Sequence, residues 1–86
     1  MTEKQRTQWA HLKELHPTAL LMSREGDFYA LYGTDAETAD PVLPISAHTG
    51  GDGLTWELRF PHHRLDMYLP KLVRAGHRIA IFDFIQ

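Results

Sequence analysis

Apolar residues change their spacing several times along the chain, and each change marks an element. Trp9, Leu12 and Leu15 recur at near-helical intervals behind Thr2 and Gln5, a pair three residues apart that can form a reciprocal capping box. This predicts a first helix over Glu3–Leu15, stopped at His16-Pro17 because proline disfavours helical backbone in the residue before it. A short apolar run over 19–23, the turn Glu25-Gly26-Asp27 and a second run over 28–32 predict a β-hairpin. Gly33 ends the second strand. Thr34 and Glu37 repeat the capping-box spacing and predict a short helix over 35–40, closed by Pro41 and Pro44. A brief strand is expected over 45–48, then a flexible loop at Thr49-Gly50-Gly51-Asp52-Gly53.

Residues 54–60 alternate, with Leu54, Trp56, Leu58 and Phe60 on one face of a strand. Leu65, Tyr68, Leu69, Leu72 and Val73 form the clearest amphipathic stripe in the chain, and Gly76 stands where a left-handed C-cap would end that helix. Pro70 falls inside it and should either kink the helix or make its first turn irregular. The final stretch, 78–85, is β-rich. Its unbroken apolar run Ile79-Ala80-Ile81-Phe82 predicts a strand covered on both faces. No internal repeat or low-complexity segment interrupts the series. The expected class is α/β or α+β, with one sheet and about three helices.

A chain of 86 residues has room for one compact domain, and its 43% hydrophobic and 23% charged residues are an ordinary globular balance. With no cysteine, it has no disulfides, thiolate metal ligands or thiol nucleophiles. No apolar run approaches the ~18 residues of a membrane-spanning helix, and the polar stretch 2–8 does not read as a signal peptide. The expected location is cytoplasmic. The net charge of −2 hides an uneven distribution. Residues 1–24 carry +2 and residues 59–86 carry +3, whereas 25–58 contain no Lys or Arg and carry −7. An acidic middle between basic ends weighs on any nucleic-acid reading.

The order of elements carries short motifs: Leu12-Lys13 and His16-Pro17, then Gly26-Asp27-Phe28-Tyr29 with Leu31, then Asp35-Ala36. Ile45-Ser46, Pro61 with His63, Tyr68-Leu69, Lys71-Leu72-Val73, Gly76 and Ala80-Ile81 follow. In this order and spacing they resemble the N-terminal mismatch-recognition domain, domain I, of the MutS DNA mismatch-repair proteins, over nearly the whole chain. The resemblance implies a small mixed β-sheet flanked by helices, and a contact with duplex DNA made by the Gly-Asp-Phe-Tyr segment. In that family the Phe of a Phe-x-Glu motif stacks on the mispaired base from the minor groove while the Glu hydrogen-bonds it. Such a wedge unstacks a base step, at least cost where pairing is already poor.

Carried over, the wedge falls on Phe28 and the Glu position on Ala30, which has no side-chain hydrogen-bonding group. The resemblance also puts Tyr29 and the loop that holds His48 on the DNA side, and Arg24, beside the turn, joins them as a candidate phosphate contact. The loop after Ile45-Ser46 holds no Lys or Arg where many relatives carry one. The phosphate-loop pattern of the MutS ATPase is absent, so the expectation is a single module, excised or stand-alone, without ATPase, connector or clamp domains.

Each of these residues also has a plainer reading. Phe28 could be an ordinary aromatic of a half-buried hairpin, a reading favoured by Ala30 and the acidic surroundings; its exposure decides. Arg24 could touch phosphate or sit solvated beside Glu25. Arg59, Arg64, Lys71, Arg74 and Arg78 could form a basic face, or simply the polar side of a helix and its flanks. Adjacent His62 and His63 point in different directions and make poor chelators, so no metal is expected, and His63 is better read as a capping or packing residue. Glu25 and Asp27 sit at a turn without a nucleophile or phosphate loop, so no enzyme is expected and no cofactor. The expected partner is double-stranded DNA, matched or mismatched, bound with low affinity, together with other domains of a larger protein. The alternative is a non-catalytic interaction or structural module that kept the fold and lost mismatch recognition.

Overall fold

In the computed structural model, which describes residues 2–50 and 55–84, the elements alternate around one five-stranded sheet of order β3-β4-β2-β1-β5. Helix α1 spans Glu3–Leu15, β1 Ala19–Glu25, β2 Phe28–Tyr32, α2 Thr34–Ala39, β3 His48–Thr49 and β4 Trp56–Pro61. A single 3-10 turn, His62–Arg64, leads into α3, Leu65–Arg74, and β5 covers Arg78–Asp83. The pair β1–β5 is parallel and the other pairs are antiparallel, so the sheet is mixed.

The capping signals explain most boundaries. The Thr2 hydroxyl accepts the Gln5 N–H, and the Gln5 side chain accepts the Thr2 N–H, completing the box that starts α1. At the far end of α3, Gly76 takes φ +92. Its N–H donates to the Val73 carbonyl and the His77 N–H to the Leu72 carbonyl, the paired bonds of a Schellman motif. Pro70 stands inside α3, which runs through it behind the 3-10 turn. The proline and Asp66, whose carbonyl loses its donor, are both exposed, so water reaches the gap.

Some expectations are corrected. The Thr34–Glu37 box does not form: α2 begins at Thr34 itself, with Gly33 before it at φ +62 and no side-chain cap. The Thr34 carbonyl instead accepts the Thr38 hydroxyl within the helix. The brief strand is only His48–Thr49. Strand β5, at the sheet edge beyond β1, is not covered on both faces: Ile81 is 45% exposed and no residue of the strand is fully buried. Leu15 and Val73 are exposed, narrowing the apolar stripes of α1 and α3. The expectations for Gly51, Asp52, Gly53, Leu54 and Ile85 lie outside the described residues.

The core lies on one face of the sheet. Leu20 and Met22 of β1, Leu31 of β2, and Leu58 and Phe60 of β4 pack with Ala36, Ala39 and Leu43 around α2 and with Tyr68 and Leu72 of α3. Tyr68 meets the Phe60 ring edge-on, centroids 5.1 Å apart. On the opposite face Ala19, Leu21 and Ser23 are buried where α1 packs along β1.

One carboxylate joins these layers. The β1–β2 ladder runs from Glu25↔Phe28 to Ser23↔Ala30, and further back along β1 Asp35, on α2, takes over. Its Oδ2 accepts the Leu21 N–H at 3.1 Å, and its Oδ1 meets Lys13 Nζ of α1 at 2.8 Å. Lys13 also donates to the Ala19 carbonyl. Asp35 is 3% exposed, so removing it strands both a buried N–H and an ammonium. Asp35→Ala should destabilise the domain by about 3 kcal/mol in urea unfolding. Gly76→Ala, which forces a side chain into left-handed backbone, should cost about 1 kcal/mol in the same assay.

Candidate nucleic-acid interface

The hairpin turn sets the geometry of the candidate surface. Gly26 takes φ +63 and none of the described non-glycine residues has positive φ, the pattern of a two-residue turn with glycine first. A loop of two residues pairs Glu25 directly with Phe28, Arg24 with Tyr29 and Ser23 with Ala30. Strand alternation then sorts the residues onto two faces.

Phe28 and Ala30 share the face opposite the main core. Phe28 is 44% exposed, flanked by Glu25 on β1 and Pro61 on β4. The ring projects from the sheet end instead of entering the core, as a wedge requires. Tyr29 and Arg24 point the other way: Tyr29 is half-buried with its ring 5.8 Å from Phe60, and the Arg24 guanidinium lies 5.2 Å from the Tyr29 centroid. Arg24 Nε donates to the Gly26 carbonyl at 2.6 Å, bracing the turn. His48 is exposed and pairs with Glu57, at the opposite end of β4 from Pro61. Phe28 and Ala30 are therefore brought together, whereas Arg24 and Tyr29 lie across the sheet and His48 lies at its far end.

Ala30 has no exposed surface, and the reason was invisible along the chain. Arg59 stands opposite Ala30 on β4, and Glu25 stands opposite Phe28 on β1, with β2 between them. Arg59 Nη2 donates to Glu25 Oε1 at 2.8 Å, so this ion pair crosses over β2 on the side of Ala30 and Tyr32. The small side chain at position 30 leaves the crossing open. Arg59 Nε also donates to Glu57, and Nη2 to Tyr32 Oη at 3.2 Å. Glu25 Oε2 accepts from Tyr32 Oη and from Ser23 Oγ, the latter at 2.7 Å. Sequence reasoning listed Arg59 only within a diffuse basic face and missed this cluster. The signal available was the two-residue turn, which fixes Glu25 opposite Phe28.

The acidic middle is thus partly answered within the fold. Glu25 and Glu57 share Arg59, Asp35 holds Lys13, and Asp40 accepts the Ala47 N–H. Asp27 and Glu37 are exposed. Of the other basic residues, Arg64, Lys71, Arg74 and Arg78 are exposed on the 3-10 turn, α3 and β5. His63 neither caps nor enters the core: it is exposed, with its ring edge-on to that of His62. Among the described residues, no group of three or more His, Asp or Glu side chains is arranged to hold a metal ion. None of the described helices is long and apolar enough to cross a membrane.

Burial pushes the Glu25 carboxyl up, but the hydrogen bonds from Tyr32 and Ser23 and the charge and hydrogen bond of Arg59 outweigh it and leave the pKa below the usual 4.5. Burial and the Glu25 carboxylate push the Tyr32 phenol up, which keeps it a donor. Burial would lower Arg59, yet the hydrogen bond to Glu57 and the neighbouring charges raise it, so it stays cationic. A carboxylate with a lowered folded pKa stabilises the fold above its unfolded pKa and loses that contribution as pH falls through the folded value. Wild type should therefore exceed Glu25→Gln in stability above pH 4.5, and the gap should close on acidification in pH-resolved urea unfolding.

Comparison with known proteins bears on this geometry. The sequence model of the family described as MutS domain I matches residues 4–86. The DNA mismatch repair protein MutS of Bacteroides thetaiotaomicron is 49% identical over 82 residues, covering 92% of this chain and 10% of the relative. The MutS proteins of Porphyromonas gingivalis and Cytophaga hutchinsonii are 44% and 45% identical over the same share of the chain. They are covered over 9% and 10% of their own length, so the chain spans about a tenth of these relatives. With a family match over almost every residue and a mixed five-stranded sheet carrying the Gly-Asp-Phe-Tyr hairpin, the chain belongs to the MutS domain I family.

Proposed function

We propose that this chain is a non-catalytic, DNA-contacting module of the mismatch-recognition type, acting in DNA mismatch repair and meeting duplex DNA from the minor groove through Phe28. The observation that carries the reading is the exposed Phe28 ring at the end of a sheet whose neighbouring strand positions are buried. Elsewhere on β2, Ala30, Leu31 and Tyr32 are enclosed. An aromatic side chain held on a braced hairpin loses little freedom when it enters a base step. The unstacking cost of a few kcal/mol is lowest at a mispair, which supplies the preference.

Affinity should be low. Glu25 and Asp27 stand beside Phe28, and Arg59, on the same face of the sheet, is shared between two carboxylates. Phosphate neutralisation, the main source of general DNA affinity, falls to exposed residues such as Arg64 on the turn after β4. His48 and Arg24 contribute at most at the margins of this contact, since neither lies beside Phe28. The work belongs in the cytoplasm, alongside other domains of a larger repair protein. The charge balance around Phe28 favours a second reading, in which the same face binds a protein.

Titration of the labelled domain at low salt with a G·T-mismatched duplex and its matched twin tests the first reading. Binding should be several-fold tighter to the mismatch, and Phe28→Ala should abolish the difference. Weak and equal binding that disappears with added salt would overturn recognition. No binding at all would favour the second reading.

A further inference from the structure

We propose that Arg59 is the hydrogen-bonding group that works beside Phe28, and that it directs this surface to the acceptors of the minor groove instead of to one particular mispair. The proposal rests on the reading of Phe28 as a wedge. In the Phe-x-Glu arrangement the second group would come from β2 itself, at position 30. Here that position is a fully enclosed alanine, and the side chain that passes over it belongs to β4.

Three observations carry the assignment. The first is position: Arg59 stands opposite Ala30, and its pair with Glu25 crosses β2 on the Ala30–Tyr32 side, on the face from which Phe28 projects two residues before Ala30. The second is orientation. The guanidinium is held by Glu57 at Nε, and by Glu25 and Tyr32 at Nη2. Tyr32 and Ser23 in turn hold Glu25. A side chain fixed by so many partners has little freedom left to lose on binding. The third is donor capacity. A guanidinium carries five N–H donors, and the two on Nη1 bond no described residue.

The change of chemistry has a consequence for what is read. A carboxylate accepts hydrogen bonds, and so selects a base that offers a donor in the groove. A guanidinium only donates. Adenine N3 and thymine O2 accept in the minor groove of both A·T orientations, so a donor there distinguishes pairs poorly. Discrimination then falls to Phe28, which senses how easily a step opens. The surface should respond to the deformability of a site, whatever mispair or unpaired base causes it. The two carboxylates on Arg59 leave the cluster negative overall, so its contribution is directional hydrogen bonding and not phosphate attraction.

The test is fluorescence anisotropy with duplexes holding a G·T, A·C or T·T mispair or one unpaired thymine, each with flanking adenines or 3-deazaadenines, which lack the N3 acceptor. Wild type should bind the four defects within about threefold of one another and lose severalfold affinity on 3-deazaadenine substitution. Arg59→Met keeps the aliphatic stem and should lower affinity about tenfold while becoming indifferent to 3-deazaadenine. Arg59→Gln, which keeps a hydrogen bond to one of the two carboxylates but lacks the reach of the guanidinium, should reproduce that indifference and guard against a folding defect in the first variant. An undiminished 3-deazaadenine effect in both variants overturns the role of Arg59, even if Phe28→Ala still abolishes the preference for defects. A strong preference for one mispair overturns the reading of deformability. If Phe28→Ala leaves the preference intact while Arg59 still couples to N3, the wedge fails and the role of Arg59 survives. Absence of binding overturns both.

Discussion

A two-residue turn at Gly26-Asp27 fixes the register on which the rest of this sheet depends. Because side chains alternate along a strand, a slip of one residue would move every β2 side chain to the other face. Leu31 would leave the core around Phe60 and Leu58, and Phe28 would leave the open face for the side that Tyr29 now occupies. The Arg24 bond to the Gly26 carbonyl and the stacking of Arg24 on Tyr29 reinforce the same register from the opposite side. Packing and the candidate contact therefore have one origin.

The two faces divide the labour of the domain. One is a conventional apolar core beneath α2 and α3. The other sets beside the packing of α1 on Ala19 and Leu21 a chain of charged hydrogen bonds, running from Ser23 and Tyr32 through Glu25 and Arg59 to Glu57. Networks of this kind are useful only when their members are satisfied together, since each lost partner leaves another polar group exposed to an apolar neighbour. Here the result is an ordered polar surface directly behind an exposed aromatic ring. That arrangement links the fold's stability to the chemistry of its candidate interface, because Glu25 and Arg59 serve both.

Much of the architecture was legible where one residue type has a strong local consequence. Thr2 and Gln5 announced α1, Gly26 the hairpin and Gly76 the end of α3, and all three behave as their backbone chemistry requires. Thr34 misled because the helix starts at the residue expected to cap it. The run Ile79-Ala80-Ile81-Phe82 misled because an apolar strand can also lie at an edge, which only the strand order reveals. At the candidate site, the motif found Phe28 but made Ala30 look like a simple loss. The charged pair that covers it comes from β4 and β1, and no spacing along β2 could indicate it.

The parallel pairing of β1 with β5 has a consequence for the growing chain. Synthesis delivers β1, β2 and β4 early, and their antiparallel ladders can close as soon as each strand appears. The outer edge of β1 has no neighbour until Arg78–Asp83 has been made. Through that interval, alternate N–H and C=O groups of Ala19–Glu25 face outward beside apolar Leu20, Leu21 and Met22, a template for mispairing with another nascent chain. Strand β5, which follows β1, β2 and β4 in the chain, thus closes that edge of β1 after the antiparallel part of the sheet has formed its ladders.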